Sequence, residues 1–240
     1  MLEDTQKHEN EENLIRTRYA KRKLDSKYSL FNPGHLFMIQ ERERFTLDLL
    51  RNQGITPLGQ KTILEIGCGT GFWLRQFINW GVQPQNITGV DLLPDRIAQA
   101  KELCPEVMQI HIGRATKLQM EDAQFDLVLQ SLVFSSMLDQ SMKEQTASEM
   151  LRVLKSDGAI LWYDFHYNNP SNPDVRGIKK KEIYHLFPDC RITLWKITLA
   201  PPLARSLAPY SWLGCYLLEK LKVFNTHYLG IIRKGKSGNN

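Results

Sequence analysis

Glycine stands at every second position in Gly67-Cys68-Gly69-Thr70-Gly71, directly after the apolar run Ile63-Leu64-Glu65-Ile66 and before Phe72-Trp73. Residues without a Cβ let a ligand approach bare backbone, and a strand that breaks into a helix through such a turn leaves N–H groups facing outward. That is chemistry for holding a nucleoside. A second apolar run, Ile87-Thr88-Gly89-Val90, ends in Asp91 about 20 residues past the glycines, the spacing at which a carboxylate meets ribose hydroxyls. A carboxylate takes two such bonds at once; the competing reading of Asp91 is a cap ahead of Leu92 and Pro94.

The details of the loop exclude two nucleotide sites. A dinucleotide fingerprint needs a third small residue where this chain has Phe72, and a P-loop needs Gly-Lys-Ser or Gly-Lys-Thr where Gly71 is followed by Phe72 and Trp73. The remaining pattern, acid-x-Gly-x-Gly-x-Gly, resembles the class I S-adenosylmethionine-dependent methyltransferase family, in its type 11-like, small-molecule form. The order of motifs extends the resemblance over roughly residues 60–165. It implies an α/β fold: a doubly wound, seven-stranded, mostly parallel Rossmann-like sheet with helices on both faces, its last strand inserted antiparallel between the fifth and sixth. It also implies S-adenosylmethionine as methyl donor, S-adenosylhomocysteine as product, and no metal.

The resemblance carries roles to particular positions. Glu65 accepts from the amino group of the cofactor, and Gly67, Cys68, Gly69, Thr70 and Gly71 border its amino-acid part and ribose. Asp91 takes the ribose hydroxyls, Leu92 and Leu118 sandwich the adenine, and Arg96 belongs to the adjoining helix. In Gly113-Arg114-Ala115 the family usually has an acid before the Ala, so with Arg114 there a backbone or neighbouring acceptor replaces it. Gln130 and Ser131 stand near the transferable methyl. Tyr19, Arg22 and Tyr28 suggest an N-terminal lid, with a plain surface helix as the alternative.

The elements that must position these residues follow from periodicity. A helix is expected over Leu92–Lys101, a third strand over Val107–Ile112 and a fourth over Phe125–Gln130. A helix over Met142–Leu154 should end at the turn Lys155-Ser156-Asp157-Gly158. Strand five then spans Ala159–Phe165, a helix Lys179–Leu186, strand six Arg191–Ile197 and the last strand His227–Arg233. The first dozen residues and the tail 234–240 are expected to be disordered. The chain divides into an N-terminal lid segment, 1–45, and a methyltransferase domain, 46–240. Within it, 60–165 is the cofactor-binding core and 166–225 the acceptor side with an apolar cover.

At 240 residues and 42% hydrophobic content, one substantial core is affordable. The charged start, Glu3 to Glu12, resembles neither a secretory signal nor a membrane span, and the expected location is cytoplasmic. Cys68, Cys104, Cys190 and Cys215 form no Cys-x-x-Cys pair and read as reduced thiols. Basic blocks at Arg16–Lys27 and Arg176–Lys181 come without aromatic platforms or a nucleic-acid module, which disfavours a nucleic-acid partner.

Methyl transfer is an in-line displacement, and a hydroxyl acceptor gains from a general base within hydrogen-bond reach. His166, just past strand five, is the candidate base, with Asp164 orienting it or acting alone; a histidine hydrogen-bonded in a turn is the alternative. From Ala200 to Phe224 the chain is far more apolar than a surface connection needs to be. An acceptor-pocket cover, a homodimer face (the chain otherwise being a monomer) and a peripheral membrane contact all fit it. The expected function is methyl transfer to a hydroxyl oxygen of a small hydrophobic or amphipathic acceptor, of natural-product or glycan type. The alternatives are N-methylation of a small molecule and a non-catalytic nucleoside-binding protein of the same fold.

Overall fold

The computed structural model describes residues 2–21, 26–168 and 172–235. A single seven-stranded sheet forms its centre, in the order β3-β2-β1-β4-β5-β7-β6. The strands are β1 (Ile63–Ile66), β2 (Ile87–Asp91), β3 (Gln109–Ile112), β4 (Phe125–Ser131), β5 (Leu154–Phe165), β6 (Cys190–Leu199) and β7 (Asn225–Lys234). The first five pair in parallel, and β7 enters antiparallel between β5 and β6, the topology expected from the sequence.

Parallel strands need crossovers, and helices supply them on both faces. The helices are α1 (Leu2–Ala20), α2 (Pro33–Asn52), α3 (Phe72–Asn79), α4 (Pro94–Leu103), α5 (Gln140–Val153), α6 (Lys180–Leu186), α7 (Pro201–Leu207) and α8 (Trp212–Lys220). Alternate strand residues serve opposite cores. Ile63, Leu127, Leu129 and Leu161 face Leu50, Leu74 and Ile97 of α2–α4, while Leu64, Val128, Ile160 and Trp162 face Met150 and Ile183 of α5 and α6. Buried on both sides, β1 and β4 are therefore continuous apolar runs in the sequence, broken only by polar residues such as Glu65 and Gln130.

Two expectations change. The N-terminus is helical rather than disordered: in α1, Lys7 pairs with Asp139 at 2.7 Å, His8 meets Ser141 at 2.9 Å and Glu11 accepts from the Leu138 amide at 3.0 Å. Strong charge there is the complement of α5 and its N-cap, not a mark of solvation. Residues 155–158 do not turn; β5 starts at Leu154, where Lys155 pairs with Asp126 at 2.8 Å and a Cβ at Gly158 would meet the Asp126 carbonyl at 3.0 Å. Helix α2 runs unbroken through residue 45, so the position between 45 and 46 falls inside a helix that starts at the Asn32 cap, whose Oδ1 accepts from His35 N. In the tail, Lys234 is part of β7, and 236–240 lie outside the described residues.

Candidate active site

The glycine loop joins β1 to α3 at the carboxyl end of the sheet, where open α/β folds place ligands. Gly67, Gly69 and Gly71 have φ of 69°, 53° and 76°, the left-handed region that a side chain resists. A Cβ on Gly67 would lie 2.4 Å from Val133 Cγ2, whereas one on Gly69 would meet nothing within 4 Å. Gly67 is therefore required by packing and Gly69 leaves open space.

The amides of this loop correct the sequence reading. Gly67 N and Cys68 N both donate to the Val90 carbonyl (2.7 and 3.0 Å), Gly71 N to the Cys68 carbonyl (2.8 Å) and Gly69 N to Asp91 Oδ2 (2.8 Å). Among the described residues only Thr70 N, of the five, has no acceptor. The loop is thus open because it lacks side chains, not because it offers a row of free donors. Cys68 contributes backbone alone: its thiol is buried beneath the loop beside Gly89, and burial pushes its pKa far up, with Glu65 and Asp91 adding to the shift.

Two carboxylates flank the loop. Asp91 uses Oδ2 on Gly69 N and Oδ1 on Leu93 N (2.9 Å), with the Leu92 amide also directed at the carboxylate, which leaves it capacity for a further donor. It therefore caps and remains able to bind, so both readings of this residue hold together in one geometry. Burial raises its pKa against these amide bonds. Glu65 is 2% exposed, and its Oε2 is a buried oxygen with no partner. Burial, then the nearby Asp91, raises its pKa well above the carboxylate range, opposed by Arg42 and Arg75. A buried acceptor with nothing to accept calls for a donor that is not part of the chain.

Arg42 of α2 is the functional candidate that sequence reasoning missed. Its guanidinium lies 5.1, 4.7 and 5.2 Å from the ring centres of Phe72, Trp73 and Tyr163, bonds Tyr163 and acts on Glu65. Nothing in Glu41-Arg42-Glu43-Arg44 distinguishes it from any charged helix, so no local signal could have found it.

On the β2–β3 side, Leu92 and Ala115 pack with Ile15 and Tyr19 of α1. Tyr19 Oη lies 3.2 Å from Ser136 Oγ, and Arg96 stands 5.8 Å from the Tyr19 ring centre. Arg114 does not face a base; it pairs with Glu12 at 3.0 Å and Glu9 at 3.7 Å, tying α1 to the loop after β3. Leu118 is buried, its amide donating to Glu149 at 2.7 Å. Tyr28 has ring contacts with Lys27 (5.3 Å), His35 (5.9 Å) and Arg205 (5.8 Å), beside α7. Arg22 lies outside the described residues.

Near the end of β4, Gln130 is fully buried and committed to backbone, donating to the Tyr163 carbonyl (3.4 Å) and accepting from Val133 N (3.2 Å). It shapes the turn at Ser131 and Leu132 instead of reaching into the cleft. Asp164 is likewise enclosed, accepting from Ser135 N (3.1 Å) and Phe165 N (2.8 Å), with burial raising its pKa to about 6. Among the described residues no hydrogen bond joins it to His166, so it does not orient that ring. His166 instead leans on the Asn225 backbone between Tyr167 and Tyr228, with a buried, partnerless Nε2. Burial and the nearby Lys196 lower its pKa to about 4, so it is neutral near pH 7 and its free nitrogen can accept a proton.

Residues 63–158, from β1 into β5, match the model of a family described as methyltransferase domain. No curated protein matches the chain in sequence. Solved structures share the fold: an S-adenosylmethionine-dependent methyltransferase from Archaeoglobus fulgidus has 17% identity and a TM-score of 0.57, over 83% of this chain and 98% of that one. One from Mesorhizobium loti has 16% identity and a TM-score of 0.56, over 77% and 95%. A TehB-like one from Corynebacterium glutamicum has 17% identity and a TM-score of 0.55, over 80% and 86%. The glycine loop and the paired acids lie within the segment that matches a methyltransferase domain, on a fold shared with S-adenosylmethionine-dependent methyltransferases.

Proposed function

We propose that the enzyme methylates a hydroxyl oxygen of a small hydrophobic or amphipathic acceptor, with His166 as the base. The observation that carries this reading is the buried, neutral and partnerless His166 Nε2 at the carboxyl end of β5, the end where the glycine loop also lies. The residues fit the cofactor. Glu65 Oε2 would accept from its ammonium, the remaining acceptor capacity of Asp91 would serve the ribose, and the open space at Gly69 would admit it. When bound, the sulfonium supplies an electrophilic methyl and a good leaving group.

The chain's own part is alignment, water exclusion and one proton. His166 Nε2 takes the acceptor's hydroxyl proton as the oxygen attacks, and Tyr167 and Tyr228 fix the ring. Helix α1 acts as a lid, with Ile15 and Tyr19 against Leu92 and Ala115, and 166–225 is the acceptor side.

The test is release of S-adenosylhomocysteine from S-adenosylmethionine in the presence of hydroxylated amphipathic acceptors. His166→Ala should lower turnover by about 10²–10⁴-fold and leave S-adenosylhomocysteine affinity unchanged. Full turnover in that variant removes His166 as base. Binding without turnover on any acceptor, amines included, favours the non-catalytic alternative.

A further inference from the structure

An apolar face lies open over the carboxyl end of β6, where α7 and α8 follow in the chain. Leu213, Leu217 and Leu221 recur at every fourth residue along α8 and so form one stripe; they are 68%, 57% and 59% exposed. Tyr210, 87% exposed, stands just ahead of the stripe, and Val223 and Phe224 follow it. The other side of the helix is fixed. Cys215 and Glu219 are buried, and Trp212 meets Phe37 of α2 edge to face at 5.6 Å. The leucines therefore cannot turn inward, and a face of this kind marks an interaction site.

Charge selects the occupant. Between Ala200 and Phe224 the sole carboxylate is Glu219, which points inward to accept from the Thr198 amide at 3.1 Å. The cations Lys220 and Lys222 lie at the rim, their Nζ atoms 4.9 Å from the Tyr216 ring centre and 4.8 Å from that of Phe45, with stems along apolar surface. The face is thus apolar in the middle and positive at its edge. A second copy of this stretch would bring no exposed carboxylate to these ammonium groups, since Glu219 faces inward. An anionic lipid surface complements both parts, taking leucine and aromatic side chains at the headgroup boundary and ammonium groups at the phosphates.

We propose that the α7–α8 face docks the protein on an anionic bilayer surface, with Leu213, Leu217 and Leu221 entering the lipid and Lys220 and Lys222 meeting its headgroups. Both β6 and β5 run antiparallel to β7, so this face lies at the same end of the sheet as His166. Docking would bring the candidate site to the surface of the bilayer, but it stands on its own observations and does not depend on which acceptor is used. No helix among the described residues is long and apolar enough to cross a membrane, so the contact is peripheral.

Sedimentation of the full chain with vesicles of phosphatidylcholine, alone or with one third phosphatidylglycerol, tests this. The protein should pellet with the anionic vesicles and be released by salt. Leu213→Glu with Leu217→Glu should abolish pelleting while the thermal midpoint and S-adenosylhomocysteine affinity hold. Lys220→Gln should weaken binding about five-fold, the loss of roughly one cation near such a surface. No binding to either vesicle, equal binding to both, or unchanged binding by the double variant overturns the proposal. A dimer in sedimentation equilibrium that Leu217→Glu dissociates overturns it in favour of a second copy.

Discussion

Binding of S-adenosylhomocysteine should be accompanied by proton release from Glu65. The carboxyl is 2% exposed, its Oε2 has no partner, and burial with the neighbouring Asp91 keeps it protonated well above the usual carboxylate range. An ammonium placed about 4 Å away is worth about 4 kcal/mol at an effective dielectric of about 20. That attraction favours the ionised carboxylate and opposes the burial that holds the pKa of Glu65 up. Calorimetric titration in phosphate and in Tris, whose ionisation enthalpies differ widely, reads this directly. The apparent enthalpies should differ by the released proton multiplied by that difference, and affinity should strengthen as pH rises. In Glu65→Gln the buffer dependence should vanish, which separates this proton from any exchanged at Asp91. Equal enthalpies in both buffers for the wild-type protein, with binding intact, would refute the placement of Glu65 against the cofactor's amino group.

Asp91→Ala removes the acceptor of Gly69 N and Leu93 N along with the proposed ribose contact; a charge-assisted bond at about 1.5 kcal/mol or more predicts at least about 10-fold weaker cofactor binding, and unchanged calorimetric affinity removes Asp91 from the ribose. Glu219, 1% exposed, has its pKa raised to about 8 by burial and by its hydrogen bond to Glu41, from an ordinary 4.5. The folded state then holds more protons at Glu219 than the unfolded state between these values, so the stability this group contributes should be fully present below about 4.5 and be lost as pH rises toward about 8. In Glu219→Gln thermal midpoints across that window should lose this decline, and a slope as steep as the wild-type one refutes the assignment.

Much of the fold is legible because it is written in consecutive residues. The short apolar runs of β1 and of Leu127-Val128-Leu129 in β4 reflect burial on both faces, and glycines at positions of positive φ reflect a turn that a side chain resists; neither needs a distant partner to be recognised. The strand order, with β7 between β5 and β6, came from family resemblance, since periodicity carries no information about neighbours in a sheet.

What tertiary structure decided are the partners of polar groups. Asp164 and His166 are two residues apart in sequence, yet one turns to Ser135 and the other leans on Asn225. Arg42 reaches Glu65 and Tyr163 from another helix, Glu12 meets Arg114, and Glu219 faces Glu41. Charged residues in α1 and α8 carry the same local signature whether they meet water or another element. A hydrogen bond requires placement within tenths of an ångström between groups far apart in the chain, and only packing of the helices on the sheet supplies that. The sequence by itself determined where a nucleoside would meet bare backbone and which acids stand beside it; the three-dimensional arrangement decided which amides and carboxylates are already spent and which remain free to bind.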